Sequence, residues 1–195
     1  SYSSAASDVY KRQVFYPTNK IRLPVNKENV IKSGLVKEKD SDLILDYIDI
    51  DLPESIITKN QIMMLDILAN NNWERPIYFT GGSYEESEYI WMKDYLQLDG
   101  LVYKLVPIKT SIENNPYEMG RIDSDLMYDI VKKWSWGNSE SDEIYHDPET
   151  RKNSISFRGN LSRLSEKLIS EGEYEKAEEI LDLSLIHISE PTRPT

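Results

Sequence analysis

"DYIDIDLP", residues 46–53, alternates without a break. Ile48, Ile50 and Leu52 fall on one side of an extended chain, and Tyr47, Asp49 and Asp51 on the other. That period of two is the mark of a strand with one buried face. Thr58 and Gln61 then have the spacing of a capping box and predict a helix over residues 59–70, which Asn70–Asn72 ends. "RPIYFT" (75–80) is a second strand, stopped by Gly81–Gly82. Ser83 and Glu86 repeat the capping spacing and predict a helix to about Gln97. "LVYKLVP" (101–107) is a third strand. The order strand–helix–strand–helix–strand predicts parallel pairing through crossover helices. The expected fold class is therefore α/β, with a small three-stranded, mainly parallel sheet.

On either side of this block the pattern changes. "VFYPTNKIRLPV" (14–25) is extended, with Pro17 and Pro24 limiting regular pairing. "NKENVIKSG" (26–34) fits a short helix ending at Gly34. After the third strand, "IKTSIENNPYEMG" (108–120) is a linker. A helix over about 124–135 carries Leu126, Met127, Ile130, Val131 and Trp134 on one stripe, and Gly137 closes it. Asp147 suits an N-cap and Pro148 the first helical position. Leu161, Leu164 and Leu168 form the stripe of the helix that follows, and Gly172 fits a turn. "EYEKAEEILD" (173–182) begins another helix, with Tyr174, Ala177, Ile180 and Leu181 on one face. This helical hairpin resembles one tetratricopeptide repeat. A lone repeat cannot bury its inner face, so the native chain is expected to continue into further helices. The organisation expected is an α/β domain over 14–112, a linker and helix over 113–146, and a truncated helical hairpin over 147–182.

The two ends break this logic. One nucleotide string that encodes "DVYKRQ" (8–13) has a reverse complement that encodes "LSLIHI" (183–188). An inverted pair of that kind is what a transposase-tagged sequencing library leaves on an insert. "SSAAS" (3–7) and "SEPTR" (189–193) resemble the flanking adapters. Residues 1–13 and 183–195 are accordingly expected to be translated adapter, set aside in reasoning about the fold.

The chain has 34 acidic against 23 basic residues, a net charge of −11. That balance argues against nucleic acid, whose binding needs clustered Lys and Arg, and against an anionic membrane surface. The absence of cysteine removes disulfides, thiolate chemistry and cysteine–zinc sites. There is no run of about 18 apolar residues, the minimum for a membrane span.

Few residues offer chemistry. Asp49-Ile50-Asp51 has the form of a metal-holding Asp-x-Asp, since paired carboxylates are hard oxygen ligands. The period-2 strand explains both aspartates without a metal, and that reading is preferred. Gly81-Gly82 lies between a strand and a helix, where α/β proteins often hold phosphate. Glu85, Glu86 and Glu88 would repel such a ligand, and no Walker lysine accompanies the turn. His146 is the only histidine outside the adapter-like ends, and it stands beside the capping Asp147. Trp134 falls on an apolar stripe, which leaves Trp136 as the better stacking platform for a sugar. The binding candidates are therefore Gly81, Gly82, Trp136 and His146. No catalytic residue and no cofactor are expected.

Five stretches together resemble one family: "LPVNKENVIKSGLV", "TKNQIMMLDILANNNWERPIYFTGG", "YLQLDGLVYKLVPI", "MGRIDSDLMYDIV" and "HDPETRKNSISFRGNLSRLSEKL". They look like the soluble C-terminal part of large bacterial multi-spanning membrane proteins, similar to protein O-mannosyltransferases of the GT-C class. The resemblance implies a parent in the inner membrane that moves a sugar from a lipid-linked donor to an acceptor. It implies a periplasmic accessory role for this region, whose partners would be the membrane-embedded part of its own chain and the acceptor protein or glycan. The catalytic acid of that class lies near the membrane-embedded half, so none is carried over. A crevice at the ends of the expected parallel strands, near 53–54, 81–82 and 108–109, would receive the acceptor. The alternatives are a tetratricopeptide-like interaction module and a free-standing α/β enzyme that binds a nucleotide or sugar.

Overall fold

The computed structural model describes residues 18–52, 57–80, 90–110, 119–137, 141, 145 and 147–185. They fall into two units. The first takes its described residues from 1–76, 85–93 and 107–109, and the second from 77–84, 94–106 and 110–195.

In the first unit the elements run β1 (Lys20–Pro24), α1 (Lys27–Lys32), a 3-10 turn (Glu38–Leu43), β2 (Tyr47–Asp51) and α2 (Lys59–Asn71). The alternation in "DYIDIDLP" is realised: Ile48 and Ile50 are fully buried, and Tyr47, Asp49 and Asp51 are exposed. β2 pairs with β1 in antiparallel sense, Ile21 opposite Ile50 and Leu23 opposite Ile48. Pro24 sits at the end of β1, where a missing N–H costs least. The Val25 N–H then continues the ladder to the Asp46 carbonyl at 2.9 Å. The capping box expected at α2 is present. The Thr58 side chain accepts from the Gln61 N–H at 3.4 Å, and the Gln61 side chain accepts from the Thr58 N–H at 2.8 Å.

The end of α2 is unusual. Asn72 has φ 45° and Trp73 φ 60°. Asparagine tolerates the left-handed region, but a bulky aromatic there is rare. The turn is held from outside. Asn29 Nδ2 donates to the Asn72 carbonyl at 2.9 Å, and Trp73 Nε1 donates to the Pro24 carbonyl at 2.8 Å. Trp73 is buried, so its indole helps to fix the backbone beneath it.

The second unit corrects the expected topology. It holds β3 (Tyr78–Thr80), β4 (Leu96–Asp99) and β5 (Val102–Leu105) in the order β3–β5–β4. Both strand pairings are antiparallel, with one isolated parallel bridge between Gln97 and Arg121, so the sheet is not the mainly parallel one expected. The strand at 47–51 is not part of it and pairs with β1 instead. The physical reason is local. Residues 90–95 form a 3-10 turn and 96–99 a strand, where a crossover helix was expected to run to Gln97. The start of that helix, at Ser83 and Glu86, lies outside the described residues. β4 and β5 are then joined through Gly100 and Leu101, too short a link for a parallel crossover. Gly100 has φ +70°, as the first central residue of a type II′ hairpin turn requires.

Three helices follow: α3 (Ser124–Val131), α4 (Pro148–Ser170) and α5 (Tyr174–Leu185). Asp123 caps α3. The Asp147 side chain accepts from the Glu149 and Thr150 N–H groups at 2.8 and 3.0 Å, with Pro148 at the first position as expected. Leu98 of β4, Met127 and Val131 of α3, Leu161, Leu164 and Leu168 of α4, and Ala177 and Ile180 of α5 form one core. Of the four residues expected on one face of α5, Ala177 and Ile180 are buried, while Tyr174 and Leu181 are 68% and 42% exposed. The helix also continues to Leu185, past the boundary at 183 expected for adapter. Among the described residues, no helix is long and apolar enough to cross a membrane.

Candidate functional site

The two aspartates of the Asp-x-Asp belong to a ladder of cross-strand ion pairs on the exposed face of β1 and β2. Asp51 meets Lys20 at 3.0 Å. Asp49 receives two bonds from one guanidinium, Arg22 Nε to Oδ1 at 2.8 Å and Nη2 to Oδ2 at 3.0 Å. Such a planar two-bond fit is the stronger kind of pair. The guanidinium also lies 3.7 Å over the Tyr47 ring, which turns the same group toward a π face. The hydrogen bond from Arg22 holds the Asp49 carboxyl below the ordinary carboxylate range, with smaller help from Lys20 and Lys109. The strand period therefore places these carboxylates on one face, and basic residues of β1 stand opposite each. Among the described residues, no group of three or more His, Cys, Asp and Glu is placed to share a metal ion.

Trp136 packs against the helical core of the second unit, half-buried. Its ring meets Trp134 edge-on at 5.7 Å and Phe157 at 6.5 Å, while Trp134 meets Phe157 edge-on at 5.8 Å. Edge-to-face contacts of this kind add to simple burial. Trp136 thus shares an aromatic cluster with Trp134 and Phe157. Gly81, Gly82 and His146 lie outside the described residues, as do 53–54 of the expected crevice. Of that crevice's remaining members, Ile108 is buried and Lys109 exposed. The crevice was argued from the carboxyl ends of parallel strands; with antiparallel pairing that argument no longer applies.

A second polar network ties α3 to α5. Glu179 accepts from the Tyr128 hydroxyl at 2.6 Å and pairs with Lys132 at 2.8 Å. The bonds from Lys132 and then Tyr128 hold the Glu179 carboxyl below its usual range, and the same contact pushes the Tyr128 hydroxyl up. Ser124 at the start of α3 donates to Glu171 in the turn after α4. These are clamps between helices.

Sequence reasoning missed the most buried charges. Lys104 of β5 and Asp99 of β4 lie 2.9 Å apart with side chains only 4% exposed, and Gln97 Nε2 donates to the other Asp99 oxygen at 2.8 Å. The available signal was "LDGLVY", a strand–Asp-Gly–strand pattern that marks a hairpin. With Gly100 and Leu101 as the two-residue loop, the hairpin places Gln97 opposite Lys104 with Asp99 on the same face.

The described residues form a mixed α/β chain in which Asp49, Asp51, Asp99 and Glu179 are each paired with a basic side chain. The chain belongs to the family described as TMEM260-associated domain 2, whose family model matches residues 2–126, well over half its length. The match takes in residues 2–13, which were expected to be adapter. Neither the curated proteins nor the solved structures contain a match.

Proposed function

We propose that this chain is a non-catalytic accessory domain of a membrane-embedded glycosyltransferase of the GT-C class, facing the periplasm. The observation that carries this reading is the family match over residues 2–126. The family's name ties the domain to TMEM260, and the resemblance seen in the sequence is to protein O-mannosyltransferases. The pairing of Asp49 and Asp51 with Arg22 and Lys20 agrees with it, because carboxylates neutralised across a two-stranded sheet are poor candidates for general acid or metal ligand. In this role the domain packs on the membrane part of its own parent and helps to present the acceptor protein or glycan. Gly81, Gly82, Trp136 and His146 remain the residues proposed for acceptor contact.

The test is sugar transfer by the full parent carrying Asp49→Asn or Asp51→Asn. An accessory role leaves the rate per folded molecule within about twofold, a change worth only about 0.4 kcal/mol in barrier. A loss of several orders of magnitude with either of them assigns catalysis to this domain and overturns the reading.

The hairpin of α4 and α5 favours a second reading, a tetratricopeptide-like interaction module. Tyr174 and Leu181 stand on α5 away from the core that Ala177 and Ile180 join. A partner protein that binds the chain, and is released by Tyr174→Ser with Leu181→Ser, would favour this reading over the first.

A further inference from the structure

We propose that the Asp99–Lys104 pair, with Gln97, is a face selector: it decides which side of the β4–β5 hairpin meets the helices. This hairpin is buried on both faces. Leu96, Leu98 and Leu105 on one side are at most 2% exposed, and Gln97, Asp99 and Lys104 on the other at most 5%. A strand buried on both sides is ordinarily apolar on both sides. Here the side carrying Leu98 and Tyr103 packs into the helical core, and the other side carries charge.

Desolvation explains why stability is a poor account of that choice. Taking two charges out of water roughly cancels their attraction, and apolar replacements of a buried pair are often neutral or stabilising. Specificity is a better account. A slip of one residue between two strands sends every side chain of one strand to the opposite face. Were Gln97, Asp99 and Lys104 apolar, both faces of this hairpin would suit the helices equally. With the charges in place, a one-residue slip between β4 and β5 puts Lys104 on the opposite face from Asp99. Each ion is then buried without its partner, the costly case. In the observed register Gln97 stands opposite Lys104, and Asp99 lies diagonal to it, within reach of a long side chain. Lys104 and Gln97 then hold both carboxylate oxygens, at 2.9 and 2.8 Å. Tyr78 of β3, opposite Lys104, completes the row across the sheet.

The experiment compares four full-length variants by thermal melting and by two-dimensional amide NMR. Asp99→Leu alone should lower the melting temperature, because Lys104 loses its partner. Asp99→Leu with Lys104→Met should melt at or above the parent temperature, yet show two or more sets of peaks for residues 96–105. Asp99→Lys with Lys104→Asp restores a pair in the same place and should return one set of peaks. Adding Gln97→Leu to the apolar pair should increase the doubling. A single set of peaks for the apolar pair, with Leu98 still opposite Tyr103, would overturn the proposal. So would an apolar pair that fails to fold, since the ion pair would then act through stability, and so would doubled peaks in the charge-swapped chain.

Discussion

Gly34 and Gly100 share a backbone angle, φ +70°, and differ in what surrounds them. Alanine at either position places a Cβ in the left-handed region, at a cost of about 1–2 kcal/mol. The entropy that alanine removes from the unfolded chain, about 0.4–1 kcal/mol, is common to both and cancels in the comparison. At Gly34 a Cβ meets nothing within 4 Å. At Gly100 it lies 3.1 Å from Ile130 Cγ2 and 3.1 Å from Trp134 Cζ2. Those atoms belong to residues that pack on or beside the core of the second unit, so they can give way only by disturbing their neighbours. Overpacking of this kind costs about 1–3 kcal/mol more. Gly34→Ala should therefore destabilise its unit by about 0–1.5 kcal/mol and Gly100→Ala its own by about 1–4.5 kcal/mol. Urea titration with residue-resolved amide exchange measures each unit separately. Equal costs would refute the claim that the hairpin turn is pressed against α3 and the aromatic cluster.

Other expectations are more direct. Leu164→Ala, at a site with no exposed surface, should cost about 2–5 kcal/mol by urea titration, as large-to-small core changes do. Thr58→Ala removes one half of the capping box and should cost about 1 kcal/mol, with loss of exchange protection confined to the first turn of α2. The carboxyls of Asp49, Asp147 and Glu179 are all depressed in the folded chain: by the bond from Arg22, by the bonds from Thr150, and by the bond from Lys132. A depressed carboxyl stabilises the fold above its unfolded pKa, and that contribution disappears as pH falls through the folded pKa. Melting temperature should thus decline as pH drops below about 4. Asp49→Asn with Glu179→Gln should flatten that decline, as thermal melts across the acid range would register. Added salt should change the Arg22–Asp49 contribution only slightly, because exposed pairs are weak.

Much of the local structure was legible in the chain. The alternation at 46–53 gave the strand and its buried face. Thr58 with Gln61 gave the start of α2, and Asp147 with Pro148 the start of α4. Each is a short-range rule in which neighbouring residues satisfy one another. The sheet was not legible by the same route. Strand direction depends on what lies between strands, and reading the capping spacing of Ser83 and Glu86 as a helix to Gln97 left no strand at 96–99 to form a hairpin. Tyr174 and Leu181 show a second limit. Helical period says which residues share a stripe, but not how wide a stripe the neighbouring helix covers. The Asp99–Lys104 pair was hidden for a related reason. A Lys in a strand reads as an exposed position until the pairing places a carboxylate beside it.

The central claim, an accessory domain that packs on a membrane-embedded glycosyltransferase, is tested most directly by co-expression. The multi-spanning part of the parent is produced without this region, this chain is supplied as a separate tagged polypeptide, and the detergent-solubilised mixture is weighed by size-exclusion with light scattering. The account predicts that the two pieces elute together at one copy each and that sugar transfer, lost without the tagged chain, returns with it. A folded tagged chain that elutes alone while the membrane part transfers sugar at full rate would contradict it.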